Sequence, residues 1–233
     1  MAGLAVTDLN FEQLKTDFDR DGFVVLRGYL PPAEVAEMWD RLHRYHAEVQ
    51  GPISNGEQTR AIKGMNVHDA WYRNYLENGR HIPLMKHLLE EDLSPDNVTW
   101  LQQPKGAQRT QPHYDALGSY RSAPSGISLW IALDRIDLGN GCLHYEKGSH
   151  RRYKPVGYPL PDYDEHNVRA VPFEAEPGDA VMHAATTVHW TFDHVDDRDR
   201  NAMVFVYWGA SSAIDPARAE RSTSTYADGT TTL

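Results

Sequence analysis

Two hydrophobic rhythms divide the chain. Before about residue 95, apolar positions recur at helical spacing; after it, short apolar or β-branched runs alternate with turn-forming residues. In the first part, Thr7 or Asp8 is expected to cap a short helix that ends near Asp21-Gly22, glycine being a common helix stop. Phe23-Val24-Val25-Leu26 then reads as a short buried strand. Pro31-Pro32 opens a longer helix, because proline is tolerated in the first turn. Val35, Met38, Trp39, Leu42 and Val49 form its apolar face. Residues 50–59 are polar, with two glycines and a proline, and read as a loop. Short helices are expected over 69–76 and 83–90. Beyond residue 97, strands are expected over 98–102, 127–133, 142–145, 170–173, 180–183 and 202–208, punctuated by turns at 104–106, 138–141 and 176–179. Helices first and antiparallel-looking strands afterwards predict an α+β protein with a mainly β core, a sandwich or barrel. The expectation is one domain over 1–233: a helical part to about 95, a β core over 96–210, and a loose Ser/Thr/Ala-rich tail over 211–233.

Composition narrows the partners. The chain has 233 residues, 40% apolar and 24% charged, which is ordinary for a soluble protein. A formal charge of −10 disfavours nucleic acid and anionic membranes, both of which attract basic surfaces. The single Cys142 forms no internal disulfide, and the N-terminus lacks the basic start and apolar run of a signal peptide. The expectation is a cytoplasmic protein acting on a small molecule.

The candidate chemistry lies in His113-Tyr114-Asp115 and the distant His189. Two imidazoles and one carboxylate suit Fe(II) and leave coordination positions open, the ligand set of non-haem oxygenases. On a strand, His113 and Asp115 would point to one face and Tyr114 away. A His-x-Asp alone is often a turn pair at a strand end. Its company changes the reading: Thr191 stands two residues after His189, and Arg200 eleven after it. A buried Arg grips a carboxylate through two parallel hydrogen bonds, whereas a solvated Arg200 would pair with Asp196, Asp197 or Asp199. His183 either lines this pocket or is a core histidine. His43 and His46, spaced i, i+3, suit a metal or an exposed helix face. His68, Trp71, Tyr72 and Tyr75 form an aromatic patch that closes over substrate or packs on the sheet. Arg151-Arg152-Tyr153-Lys154 and Tyr158 belong to a loop that is a lid or a solvated run. Cys142 reads as buried and inert.

Several segments now align in order. They are Phe18-Asp19-Arg20-Asp21-Gly22-Phe23-Val24-Val25-Leu26-Arg27-Gly28, Gln111-Pro112-His113-Tyr114-Asp115, Leu129-Trp130-Ile131-Ala132-Leu133-Asp134, Asn140-Gly141-Cys142-Leu143, Gly148-Ser149-His150-Arg151 and Pro177-Gly178-Asp179. With them the chain resembles the phytanoyl-CoA dioxygenase (PhyH) family of Fe(II)- and 2-oxoglutarate-dependent oxygenases. The usual Pro-Gly-Ser-His element departs to Glu146-Lys147-Gly148-Ser149-His150. The resemblance implies a double-stranded β-helix (jelly roll, cupin-like) flanked by N-terminal helices. It implies His113, Asp115 and His189 as iron ligands and Arg200 as the holder of the far carboxylate of 2-oxoglutarate. Thr191, Trp130 and Gln102 would line the co-substrate pocket, and Lys63 would play an auxiliary basic role in binding the co-substrate. Tyr72, His68 and His183 are substrate-side candidates. The implied cofactors are Fe2+, 2-oxoglutarate and O2, with ascorbate as reductant. The implied reaction hydroxylates a C–H bond of a small metabolite or natural product, with succinate and CO2 released; desaturation and ring chemistry are variants. Related halogenases lack the carboxylate that Asp115 supplies. Two rival readings are a cupin-like metal enzyme without 2-oxoglutarate and a non-catalytic jelly-roll ligand binder. The Arg200 clamp separates the first rival and the intact triad the second. Neither substrate nor oligomeric state is implied.

Overall fold

Asn10 opens the first helix: its side chain accepts a hydrogen bond from the Gln13 backbone N–H at 3.1 Å, satisfying one of the free donors of the first turn. Helix α1 (Phe11–Asp21) stops at Gly22, whose φ of 87° is left-handed and whose N–H returns to the Phe18 carbonyl. A side chain there would also collide, since an added Cβ would lie 2.5 Å from His150 Nδ1 and 2.6 Å from Thr187 Oγ1. The computed structural model describes residues 9–50, 60–117, 123–155, 158–213 and 231–232. The expected caps Thr7 and Asp8, most of the 50–59 loop and most of the tail lie outside them.

Strand β1 (Phe23–Leu26) follows, then helix α2 (Pro32–Tyr45), entered through Pro31 and burying Val35, Met38 and Leu42. The α-helix ends before Val49, and the chain continues as a π-helical turn, His46–Gln50. Strand β2 (Arg60–Ile62) and helix α3 (Met65–His68) come next; both are too short to leave a period in the sequence. Helices α4 (Ala70–Asn78) and α5 (Ile82–Leu89) match expectation, α4 capped by the Asp69 side chain on the Trp71 N–H.

The β part comprises β3 (Leu93–Gln103), β4 (Gly126–Ala132), β5 (Leu143–Glu146), β6 (Ala170–Phe173), β7 (Ala180–Ala184), β8 (His189–Thr191), β9 (Arg200–Gly209) and β10 (Thr231–Thr232). They form a seven-stranded sheet, β1-β7-β4-β9-β3-β2-β10, and a three-stranded sheet, β6-β5-β8. Every pairing is antiparallel. This is the jelly roll, with helices on the outer face of the large sheet.

Period-2 alternation splits the core in two. Ile127, Leu129, Ile131, Met182, Met203 and Phe205 point outward and pack with Met38, Leu42, Tyr72 and Leu84 of the helical layer. Trp130, Val181, Ala202 and Val204 point inward and meet Leu143, Tyr145 and Phe173 of the small sheet. The site is built on this inner face. Cys142 is buried just ahead of β5, and burial pushes its thiol up to about 12, in keeping with an inert side chain. Among the described residues, no helix is long and apolar enough to cross a membrane.

Candidate metal centre and carboxylate pocket

His113 and His189 are set side by side by the backbone. Each donates its N–H to the other's carbonyl at 3.1 Å, an isolated antiparallel bridge at the edge of the small sheet. Their rings stand 4.2 Å apart, centroid to centroid. Residue types alone show nothing of this pairing, because the two lie far apart in sequence. Each ring is also oriented from behind: His113 Nδ1–H donates to the Gln111 carbonyl at 2.8 Å and His189 Nδ1–H to the Thr187 carbonyl at 3.0 Å. Both Nε2 lone pairs are thereby left for a ligand, the arrangement typical of metal-binding histidine.

Asp115 reaches the same point by a different route from the one expected. It does not continue a strand beside His113 but starts a 3-10 turn, Asp115–Leu117. The turn carries the carboxylate across to the large sheet. There Ser128 Oγ donates to Oδ2 at 2.9 Å and His183 Nε2 at 3.0 Å. Ser128 and His183 are register partners on β4 and β7, so both face inward at one level. Oδ1 faces the imidazoles, 3.4 Å from His189 Nε2 and 3.9 Å from His113 Nε2. One donor atom from each of His113, Asp115 and His189 lies within 4.8 Å of the others, the spacing of ligands around one ion.

The electrostatics match. Desolvation and the neighbouring His189 push the His113 imidazole down to about 4. Desolvation also opposes charge on His189, but the Asp115 carboxylate outweighs it and raises this imidazole. Burial works against the charge on Asp115 as well, yet His189 and His183 hold it well below the usual carboxylate range. Two imidazoles held through Nδ1 and a firmly ionised carboxylate make a ready divalent-metal site.

Deeper between the sheets lies a second feature. Arg200, the first residue of β9, is only 2% exposed, and burial lowers its guanidinium to about 10, still charged at neutral pH. It sits over the Trp130 ring at 5.6 Å and donates through Nη2 to the Gln103 amide oxygen. Among the described residues, Arg200 Nε and Nη1, Trp130 Nε1 and Gln103 Nε2 are buried donors without a hydrogen-bond partner. Four unpartnered buried donors on three contacting residues are costly unless an acceptor such as an anion completes them. A carboxylate fits: it accepts from a guanidinium at two points. Thr191 faces inward with His189, both on β8, and its Oγ1 accepts from the Thr110 N–H at 2.8 Å, leaving its own hydroxyl proton to donate.

Three expectations are corrected. Gln102 does not line the pocket. It pairs with Asn201 while Gln103 pairs with Arg200, so alternation turns Gln102 to the helical face and Gln103 to the inner one. The tandem glutamines hid this, since only the register on β9 distinguishes them. Tyr72 is wholly buried in the helical layer, where its hydroxyl donates to the Met38 carbonyl at 3.1 Å and its ring meets Phe205. His68 is exposed on that same side, against Tyr45. Both are separated from the triad by the large sheet, because helices α2–α5 cover its outer face. Lys63 is half-buried just beyond β2, whose Ile62 pairs with Trp100 on β3. His43 stacks on Trp39 and His46 meets the Trp100 edge, ordinary packing for both. Of the aromatic patch, Trp71 and Tyr75 stack on each other. Tyr158, 47% exposed, sets its ring edge-to-face with His113 at 5.5 Å. Its loop is tied down where Glu146, buried on β5, accepts from Arg152 and, at 2.6 Å, from Tyr163.

Comparison with known proteins gives the family and the fold. A family model described as phytanoyl-CoA dioxygenase (PhyH) matches residues 18–202. The chain is 29% identical over 113 residues to phytanoyl-CoA dioxygenase 1 of Oryza sativa subsp. japonica, an overlap of 44% of this chain and 40% of that protein. It is 26% identical over 218 residues to dioxygenase af480 of Aspergillus fumigatus, covering 87% of this chain and 68% of the relative. The match thus spans well under half the length of the rice relative. Among solved structures, the non-heme alpha ketoglutarate dependent epimerase SnoN from nogalamycin biosynthesis superimposes with a TM-score of 0.74 at 25% identity, covering 88% of this chain and 85% of that one. The carbocyclase SnoK from the same biosynthesis gives a TM-score of 0.79 at 20% identity, covering 96% and 94%, a likeness of fold.

Proposed function

The chain belongs to the phytanoyl-CoA dioxygenase (PhyH) family, and from that premise we propose that it is a non-haem Fe(II)- and 2-oxoglutarate-dependent dioxygenase that hydroxylates a C–H bond of a small organic molecule. The observation that carries this reading is the pairing of two sites: a His113-Asp115-His189 triad and, behind it, a buried cationic pocket of Arg200, Gln103 and Trp130 with free donors. A metal enzyme without a keto-acid co-substrate has no need of the second site, and a non-catalytic ligand binder has no need of the first. Iron and 2-oxoglutarate, when bound, supply the oxidising power by consuming O2 and releasing succinate and CO2.

The protein's own residues bind and orient. His113, Asp115 and His189 would hold the metal, which would supply the oxidative chemistry at this point of the inner face. Arg200 would hold the distal carboxylate of 2-oxoglutarate, with Thr191, Trp130 and Gln103 available as further donors. The apolar inner face excludes water. Tyr158, exposed beside His113, would meet the substrate. The neighbours' names, an epimerase and a carbocyclase, are the reason to include stereochemical inversion and ring closure as products to be scored beside hydroxylation.

The test is anaerobic addition of Fe(II) and 2-oxoglutarate to the metal-free protein. A weak visible charge-transfer band is expected, abolished by His189→Ala and strongly weakened by Arg200→Ala. A band unchanged in both variants, or none in the wild type, overturns the reading. Succinate release across a metabolite panel, with substrate-free turnover as background, then identifies the substrate.

A further inference from the structure

We propose that His183 is a positioning residue of the metal centre: it holds Oδ2 of Asp115 so that Oδ1 alone is presented to the metal. The proposal rests on the metal reading above and adds a residue that touches neither metal nor substrate.

The need arises from where Asp115 sits. A ligand on a β-strand is fixed by the ladder on both sides, but Asp115 begins a single 3-10 turn at the sheet edge. Its carboxylate has two equivalent oxygens and can bind a cation through one or both. Through both, it would take a coordination position that a chelating co-substrate and O2 require. The structure resolves this with hydrogen bonds: Ser128 Oγ at 2.9 Å and His183 Nε2 at 3.0 Å both engage Oδ2, and neither engages Oδ1.

The hydrogen-bond order determines the tautomer. An ionised carboxylate only accepts, so His183 donates from Nε2. Nδ1 is then an acceptor, and Tyr145 supplies its hydroxyl proton at 3.0 Å. Tyr145 is itself immobilised by stacking on Phe23, with centroids 4.7 Å apart. It also lies opposite His189 in the β5–β8 register. The relay therefore runs from the small sheet, through Tyr145, to His183 on β7, to Asp115. It ties the carboxylate to the sheet that carries one of its co-ligands. Both relay residues are buried, His183 at 2% and Tyr145 at 0% exposure, so water does not compete. His183 is poorly placed as a fourth ligand, because its Nε2 is already spent on Asp115.

The experiment titrates the metal-free full chain with cobalt(II), following the visible spectrum, and then titrates the cobalt-loaded protein with 2-oxoglutarate. His183→Leu is expected to weaken cobalt(II) binding about 10–100-fold, the usual loss on removing a residue that orients a ligand, and to alter the visible band and weaken 2-oxoglutarate binding. His183→Gln places an amide N–H near the Nε2 position and is expected to recover most of the affinity and the wild-type band, a rescue that generic core damage would not show. Should His183→Leu fail to fold by circular dichroism, Ser128→Ala and Tyr145→Phe serve instead, each removing one hydrogen bond and weakening cobalt(II) binding about threefold or more. Wild-type affinity and spectrum in His183→Leu, or in both substitutes, overturns the proposal. His189→Ala is the reference. If it binds cobalt(II) as the wild type does, the metal reading fails; if it loses binding while His183→Leu does not, only the role of His183 fails.

Discussion

Arg200 brings a full charge into a wall of tryptophan, valine and alanine where, among the described residues, the Gln103 amide oxygen is the hydrogen-bond acceptor that meets it. A lone buried cation is expensive, so the position makes physical sense as half of an ion pair completed by a bound carboxylate. Arg200→Ala is therefore expected to raise the dissociation constant for 2-oxoglutarate about 100-fold or more, read calorimetrically on the manganese-loaded protein. Arg200→Lys should recover little, because a point charge replaces a planar fork. Gln103 extends the argument to a residue that reading the sequence alone passes over. Gln103→Ala is expected to weaken 2-oxoglutarate binding about 3–10-fold by loosening Arg200, whereas Gln102→Ala should leave it unchanged, since that side chain lies on the helical face. Equal effects from the two would contradict the register. At this scale the grouping of His113, Asp115 and His189 and the candidacy of Arg200 could be read from the sequence, because few residue types suit metal and carboxylate binding. Gln103, Ser128 and Tyr145 could not, because their roles depend on strand register and on contacts between sheets.

Among the elements, the turn before β5 bears most directly on the pocket. Gly141 has φ of 77°, and a Cβ there would lie 2.9 Å from Gln103 Nε2 and 3.0 Å from its Oε1. Gly106 has nearly the same φ, 76°, yet a Cβ added there would meet nothing within 4 Å. The pair separates backbone strain from collision. Gly106→Ala is expected to cost only the conformational penalty of about 1–2 kcal/mol in chemical denaturation. Gly141→Ala should cost that and also displace Gln103, weakening 2-oxoglutarate binding while cobalt(II) affinity stays at the wild-type value. Equal 2-oxoglutarate affinity in the two variants would sever the turn from the pocket. Strands of four residues or more and helices of two turns or more were largely readable: α1 ends at Gly22, and β6 spans Ala170–Phe173 as the apolar runs predict. The three-residue strands β2 and β8 and the single-turn helix α3 were not, because they are too short to show their own period. The strand argument that put His113 and Asp115 on one face reached the right grouping by the wrong geometry, since tertiary hydrogen bonds to Ser128 and His183, not alternation, aim Asp115.

Taken whole, the molecule is a sheet with two different cores, and pattern alone did not reveal which side each helix covers. That assignment moved Tyr72 and His68 away from the chemistry and left the helical-side core with a polar network of its own. There His81, 1% exposed, donates from Nε2 to the Tyr207 oxygen at 2.5 Å, while Tyr207 donates to the Leu76 carbonyl at 2.8 Å and Tyr29 approaches Nδ1 at 3.4 Å. Burial pushes the His81 imidazole down to about 3, so it stays neutral when an unfolded chain would protonate it. The sign follows: between the unfolded value near 6.5 and about 3, the unfolded state binds the extra proton, and stability falls as pH falls. The loss is about 1.4 kcal/mol per pH unit for one such group. His81→Gln retains a donor for Tyr207 and removes the titration. Urea unfolding of the metal-free protein between about pH 6.5 and 4 is expected to show an acid slope shallower by about that amount in the variant. The metal must be absent, because protons also displace a cation from His113 and His189 and would add an acid dependence of their own. Parallel slopes would mean that His81 is protonated in the fold, and that the helical core tolerates a charge its tyrosines are arranged to exclude.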